Sequence, residues 1–241
     1  MDNWKGDRPP RVVVLGPDTV AGPHAIEPAR SYIENLGIEM LPSEFVAGYA
    51  PLDTSSELLR IEQNGADYVY IVPLWSLAAI VLRDAARLGL VSELRFGGPE
   101  NTQGLKLLEQ VGASAEGYTS PRTGPWVGET QIPGMKLLHD LRPKYGRPYD
   151  FAGDEQNGTV AIMVACEAVK RALEEVGYEN LDGVAIKRTL DSMKDFDCDG
   201  IKRITYTPED HRGWNRARIY QVQDGDVVPI SDWLEAPMIT P

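Results

Sequence analysis

Along its first 120 residues the chain alternates short apolar runs with segments whose apolar residues have helical spacing. The apolar runs at 11–15, 40–46, 67–72 and 94–96 predict strands, and a fifth strand is expected over 116–119. Several of the intervening segments end at a glycine, which is typical of helix C-termini. Alternating strands and helices predict an α/β fold with a doubly wound parallel sheet and right-handed crossovers.

Two of the helix starts in this region carry recognisable signals. Thr54-Ser-Ser-Glu57 has the pattern of a capping box, and Ser76 is expected to cap the helix over 77–88. A further helix is predicted from Thr102 to Val111. Together these patterns predict one helix after each of the second, third and fourth strands.

The pattern changes after Ser120, where prolines and glycines interrupt the alternation and the next elements are helices. Those helices are expected at about 133–141, 158–176 and 184–193, the last with Asp182 near its cap. The predicted organisation is a parallel α/β lobe over 1–120, a mainly helical segment of another lobe over 121–200, and a C-terminal β-hairpin over 201–241 that returns to the first lobe.

The hairpin is the most specific stretch of the sequence. Asp224-Gly225 is a two-residue turn signal between the alternating runs 218–222 and 227–230. Thr207-Pro-Glu-Asp-His-Arg-Gly213 precedes this hairpin, and Val228-Pro-Ile-Ser-Asp-Trp233 closes it. The whole stretch resembles the ending of the type I periplasmic binding proteins of the branched-chain amino acid (Leu/Ile/Val) ABC transporter family.

This resemblance implies the C-terminal lobe of such a receptor, plus a mainly helical remnant of the other lobe. The match begins at a point similar to the crossover between the lobes, so most of the first lobe is expected to be missing. Residues 1–10 contain no apolar stretch of the kind that a signal peptide needs. A periplasmic or extracytoplasmic location is therefore implied by the family alone.

Composition narrows the classes of partner. With 24 basic and 36 acidic residues the chain has a formal net charge of −12, which argues against nucleic acid and anionic lipid surfaces. No apolar run is long enough to span a bilayer. Cys166 and Cys198 have no zinc or redox spacing; free thiols are favoured, and a disulfide stays open.

In open α/β sheets, ligands bind outside the carboxyl ends of the strands. That rule selects the loops at 16–22, 73–76 and 97–101. The candidate ligand-binding residues in these loops are Asp18, Thr19, Leu74, Trp75, Ser76 and Glu100.

Glu100 is the most specific of these candidates. Gly97-Gly98 is expected to let the backbone approach a ligand, and a carboxylate at the start of a helix is held ionised by the helix dipole. The Gly-Pro-Glu of the resembled receptors implies that Glu100 receives a ligand ammonium. The alternative, that Glu100 only stabilises the helix start, is equally open.

Other positions are less decisive. The resembled family commonly has a tyrosine in the first loop and an aromatic residue in the loop after the third strand, where this chain has Ala21 and Leu74. With Glu100 retained, these differences imply a ligand different from leucine. For Trp75, ligand stacking and ordinary packing both stay open, and for Trp126 a structural role is favoured. Asp195-Phe-Asp-Cys-Asp-Gly200 resembles a calcium loop, but Tyr206 stands where the bidentate Glu is needed, so a turn is favoured.

The sequence contains no phosphate loop, dinucleotide motif or catalytic constellation, so no cofactor, metal or catalytic residue is expected. The predicted function is that of an ABC uptake receptor which binds an amino-acid-like or other small polar ligand by hinge closure and presents it to permease subunits. A small flavodoxin-like enzyme and a ligand-sensing domain of the same fold are the alternatives. The apolar segment Thr159–Cys166 is expected to lie uncovered in this chain and to mediate self-association.

Overall fold

The computed structural model describes residue 4 and residues 6–145 and 154–236. They form two compact units, Met1–Pro121 with Ile219–Ser231, and Arg122–Arg218 with Asp232–Pro241. The assignment of 121–200 to a second receptor lobe stays a prediction.

Strands and helices alternate through the first unit, whereas the second unit is mainly helical. The strands are β1 (Arg11–Pro17), β2 (Glu39–Met40), β3 (Glu44–Val46), β4 (Tyr68–Ile71), β5 (Arg95–Gly97), β6 (Thr119–Arg122), β7 (Phe196–Asp197), β8 (Arg203–Ile204), β9 (Arg216–Gln223), β10 (Asp226–Pro229) and β11 (Leu234–Glu235). The helices are α1 (Arg30–Asn35), α2 (Ser55–Gln63), α3 (Trp75–Arg87), α4 (Leu105–Val111), α5 (Pro133–Lys144), α6 (Asp154–Val176) and α7 (Gly183–Asp191).

The main sheet confirms the predicted fold class. Its order is β10-β9-β6-β5-β4-β1-β2, with β3 also paired to β1 and β11 to β9. The pairs among β1 to β5 and the β5–β6 pair are parallel, whereas β9 pairs antiparallel with β10 and β11. After β1 the chain first adds β2 and β3 on one side and then β4 on the other, so the strand order reverses at β1.

Strand β1 is buried on both faces. Val13 and Val14 point to opposite faces because they are neighbours on a strand, and each is only 1% exposed. On one face Val14 packs with Met40 and Val72, together with the partly buried Ile33 of α1. The continuous apolar run of β1 follows from this double burial.

The sheet face beside α1 is incompletely filled. It holds a cavity of about 490 Å³ lined mainly by apolar side chains, together with Tyr68, Tyr70, Thr119 and Ser120. Burial raises the pKa of Tyr70 to about 12, and the neighbouring Tyr68 adds to the shift. The Tyr70 phenol therefore stays protonated at neutral pH.

The predicted capping box at Thr54 is wrong. The Thr54 hydroxyl makes no cap bond and instead donates to Oδ2 of the buried Asp84 at 3.0 Å. The Ser55 N–H donates to Asp53 Oδ1 at 2.9 Å. A buried carboxylate requires donors, so the tertiary partner outcompetes the local one.

Two other helix starts also differ from expectation. Helix α3 begins at Trp75 with Leu74 as its N-cap, so Ser76 lies inside the first turn and caps nothing. Helix α4 begins at Leu105, and Glu100–Thr102 forms a separate 3₁₀ turn. The run predicted as one strand over 40–46 forms two short strands, with Pro42, which has no N–H, between them.

The second unit is organised around α6 and α7. Asp182 caps α7 as predicted, because its Oδ1 accepts the Ala185 N–H at 2.8 Å. Trp126 is 8% exposed and has the Arg122 guanidinium 5.0 Å from its ring centroid. That burial supports the structural reading of Trp126.

Helix α6 buries one stripe and exposes another. Val160, Val164 and Ala168 lie four residues apart and are at most 7% exposed, whereas Ile162 is 66% exposed. Cys166 is also exposed, and both cysteines are free thiols. Of the segment 159–166 that was expected to lie uncovered, Val160 and Val164 are buried, so only part of its apolar surface is exposed. Self-association through it stays a prediction.

The segment 195–200 forms the expected turn, in which the Gly200 N–H donates to Asp197 Oδ1 at 2.7 Å between β7 and β8. Within the described ranges, no group of three or more His, Cys, Asp or Glu side chains could hold a metal ion. None of the helices in this part of the chain is long and apolar enough to cross a bilayer.

Candidate ligand-binding site

The reversal of strand order at β1 locates the candidate site. In the sheet, β5, β4 and β1 are consecutive parallel neighbours. Their carboxyl ends therefore lie side by side along one edge, with the switch point between β4 and β1. The three loops selected from the sequence follow these strands and meet at this edge.

The loop after β1 is a tight, polar turn. The Thr19 N–H donates to the Pro17 carbonyl at 2.8 Å, and the Gly22 N–H donates to the Thr19 carbonyl at 3.0 Å. Asp18 is exposed, and its Oδ1 lies 2.9 Å from His24 Nε2. The turn requires Gly22, since a Cβ there would overlap the Pro17 carbonyl.

The loop after β4 leads directly into α3. Leu74 is 39% exposed and has an extended backbone, and Trp75 is the first residue of the helix. The Lys106 ammonium lies 5.7 Å from the centroid of the Trp75 ring. Trp75 and Ser76 are half-buried, so the indole presents part of its surface at the sheet edge.

The loop after β5 carries Glu100 in a 3₁₀ turn. The Thr102 hydroxyl donates to the Pro99 carbonyl at 2.6 Å and accepts the Tyr118 hydroxyl at 2.7 Å. These two hydrogen bonds hold the 3₁₀ turn against Tyr118. One carboxylate oxygen of Glu100 is shielded from solvent. The α-helix expected beside it begins five residues further along, so a helix dipole does not explain this carboxylate.

The two glycines before Glu100 have a packing reason. A Cβ on Gly97 would overlap the Tyr68 hydroxyl and the Thr119 carbonyl, and one on Gly98 would overlap the Ile71 carbonyl. Close packing against neighbouring strands therefore requires both glycines. Packing alone explains the two glycines, without the expected approach of the backbone to a ligand.

Sequence reasoning missed the loop after β3. Strand β3 pairs with the end of β1, with Pro17 opposite Val46. Tyr49 follows β3 and is 41% exposed, and its hydroxyl lies 3.2 Å from Thr19 Oγ1. The available signal was a tyrosine three residues beyond a strand end. The same pairing brings Phe45 beside His24, with ring centroids 5.1 Å apart.

A mostly parallel α/β unit with loops gathered at the switch point of its sheet is an architecture in which small molecules bind at the strand ends. The model of the periplasmic binding protein family matches residues 2–226. The chain belongs to this family, and the resemblance predicted from the closing hairpin is confirmed.

Solved structures of receptors share the fold. A branched-chain amino acid ABC transporter protein from Thermus thermophilus, with bound valine, is 27% identical with a TM-score of 0.85, over 95% of this chain and 62% of that one. An ABC transporter substrate-binding protein from Aeropyrum pernix is 16% identical with a TM-score of 0.78, over 95% and 60%. A leucine-binding protein from Thermotoga maritima is 22% identical with a TM-score of 0.69, over 93% and 60%.

The last two likenesses show the fold alone. The chain spans about 60% of the length of these structures. No curated protein matches the chain significantly. The family is one of binding proteins, which agrees with the predicted binding role and does not favour the flavodoxin-like enzyme.

Proposed function

We propose that this chain forms a ligand-binding lobe of an extracytoplasmic ABC uptake receptor and binds an amino-acid-like or other small polar ligand. One observation carries the proposal. The loops with Thr19, Trp75 and Glu100 follow three adjacent parallel strands at the switch point of the sheet in a member of the periplasmic binding protein family. This edge is where ligands bind in open α/β sheets.

Each candidate residue has a role that its chemistry supports. The Glu100 carboxylate pairs with a ligand ammonium, in a contact strengthened by the shielding of one oxygen from water. The half-buried Trp75 ring contacts the body of the ligand. Backbone groups near Thr19 and Ser76 bind its polar end, and Asp18 and Leu74 line the site.

The rest of the mechanism belongs to the same proposal. A second lobe closes over the ligand by a hinge motion, and the closed form is presented to permease subunits. Closure excludes water, which strengthens the pairing of Glu100 with an ammonium.

Titration of the isotope-labelled chain with L-valine and L-glutamine, followed by NMR, tests the role of Glu100. This measurement detects dissociation constants up to the millimolar range. Glu100→Gln keeps the shape and removes the charge. Loss of a charge-assisted hydrogen bond costs about 1.5–3 kcal/mol, so both amino acids should bind about 10- to 100-fold more weakly.

Glu93→Gln is the matched control. Glu93 is exposed and precedes β5, so it lies at the amino end of the strand that Glu100 follows. It should leave both affinities unchanged. Equal binding by the Glu100 variant and the native chain would disprove the role of Glu100, and no binding of any small polar ligand would disprove the proposed function.

A further inference from the structure

The loop after β3 supplies an aromatic side chain to the candidate site. The parallel pairing of β1 and β3 puts Pro17 opposite Val46, so the two following loops start side by side. Ala21 contributes only a methyl group to the first loop. Tyr49 instead reaches it from the neighbouring loop, with its hydroxyl 3.2 Å from Thr19 Oγ1.

The Thr19 end of this contact is held firmly. The backbone of Thr19 is bonded on both sides, through its N–H to the Pro17 carbonyl and through its carbonyl to the Gly22 N–H. Thr19 is half-buried, whereas Tyr49 is 41% exposed. These bonds fix the Thr19 backbone, and the 3.2 Å contact places the Tyr49 hydroxyl beside Thr19 Oγ1 while part of the phenol stays exposed.

The contact between the Thr19 and Tyr49 hydroxyls uses only one of their two hydrogens. Whichever hydroxyl donates across the 3.2 Å contact, the hydrogen of the other stays available. The neighbouring Asp18 carboxylate already contacts His24 at 2.9 Å. The hydroxyl pair is thus a neutral group that can donate to an acceptor atom on a ligand.

The separation between the Thr19–Tyr49 hydroxyl pair and Glu100 limits which acceptor atom of a ligand the pair can reach. The β5 loop and the β1 and β3 loops are separated by β4. Adjacent strands lie about 4.8 Å apart, so the two groups start about 10–14 Å apart before their side chains converge. The side-chain amide of L-glutamine lies farther from its ammonium than the α-carboxylate does, so it reaches farther from Glu100 toward this hydroxyl pair.

We propose that Tyr49 and Thr19 form a specificity-determining subsite for ligands with a side-chain hydrogen-bond acceptor, such as an amide or carboxylate. This subsite deepens the proposed function and rests on it, because the ligand ammonium is held by Glu100. The chain should bind L-glutamine more tightly than L-valine.

The test is NMR titration of the full chain with these two amino acids. Tyr49→Phe keeps the ring and removes the hydroxyl. One neutral hydrogen bond corresponds to about a 3- to 10-fold change in affinity, so L-glutamine should bind that much more weakly and L-valine equally well. Tyr32→Phe is the control, because Tyr32 lies in α1 and is similarly exposed at 44%.

The possible outcomes separate the two proposals. Unchanged L-glutamine binding by Tyr49→Phe, with weaker binding by Glu100→Gln, would overturn the subsite and leave the receptor function standing. Equal weakening of both amino acids, or native preference for L-valine, would also overturn the subsite. If neither amino acid binds the native chain, both the assigned ligand class and the subsite fail.

Discussion

The buried Asp84 anchors the loop after β3 to α3. Its side chain is only 2% exposed, and Oδ2 accepts the Thr54 N–H at 2.8 Å and the Thr54 hydroxyl at 3.0 Å. Thr54 is fully buried and ends the loop that carries Tyr49, while α3 carries Trp75. Replacing Asp84 therefore tests whether this contact holds two loops of the candidate site together.

The structure sets the size of the effect. Asp84→Ala leaves two buried donors of Thr54 without their acceptor, and each costs about 1–3 kcal/mol, so the free energy of unfolding should fall by about 2–6 kcal/mol. Thr54→Val removes only the hydroxyl bond and should cost about 1–2 kcal/mol. The Arg83 guanidinium, 3.2 Å from Asp84, is 59% exposed and adds little because solvent screens it.

Urea unfolding followed by circular dichroism measures these differences. A double-mutant cycle of Thr54→Val and Asp84→Ala should show a coupling of about 1 kcal/mol or more. Ser56→Ala is the control, since its exposed hydroxyl contacts only Glu57 among the described residues, and it should change stability by less than about 0.5 kcal/mol. Additivity in the cycle, or a cost below about 1 kcal/mol for Asp84→Ala, would refute the anchoring role.

Two further predictions follow from packing and burial. Gly98→Ala should lower the free energy of unfolding by about 1–3 kcal/mol, because the added Cβ would overlap the Ile71 carbonyl and approach Thr102 Oγ1 to 2.5 Å; a urea midpoint equal to the native one would contradict this. Iodoacetamide at pH 8 should modify the exposed Cys166 well before Cys198, since burial raises the pKa of the Cys198 thiol to about 11. Mass spectrometry of tryptic peptides reads out the order, and equal rates would show that Cys198 is accessible.

The order of the elements was predictable because it depends on local signals. Gly89 ends α3 with a positive φ of 76°, as its place after the apolar helix pattern indicated. Asp224 and Gly225 both have positive φ, as expected for a hairpin turn between β9 and β10. At these positions the local backbone chemistry and the tertiary fold favour the same conformation.

The helix caps show where local signals fail. Thr54 has a normal capping sequence, but its hydroxyl is used by Asp84, which lies 30 residues away. Serine is a favourable cap residue, so Ser76 predicts the helix boundary, yet Leu74 has the extended backbone of the N-cap. A sequence shows the available donors, but the partner that receives each one depends on the fold.

The same limit explains which part of the candidate site was found. The loops with Thr19, Trp75 and Glu100 could be selected because each follows a strand, and strand ends are visible in the sequence. The contact of Tyr49 with Thr19 depends on a register, Pro17 opposite Val46, which no local pattern encodes. A slip of one residue in β3 would turn its side chains to the other face and shift the start of the loop. The specificity proposed for this subsite therefore depends on the pairing of β3 with β1 as much as on the tyrosine itself.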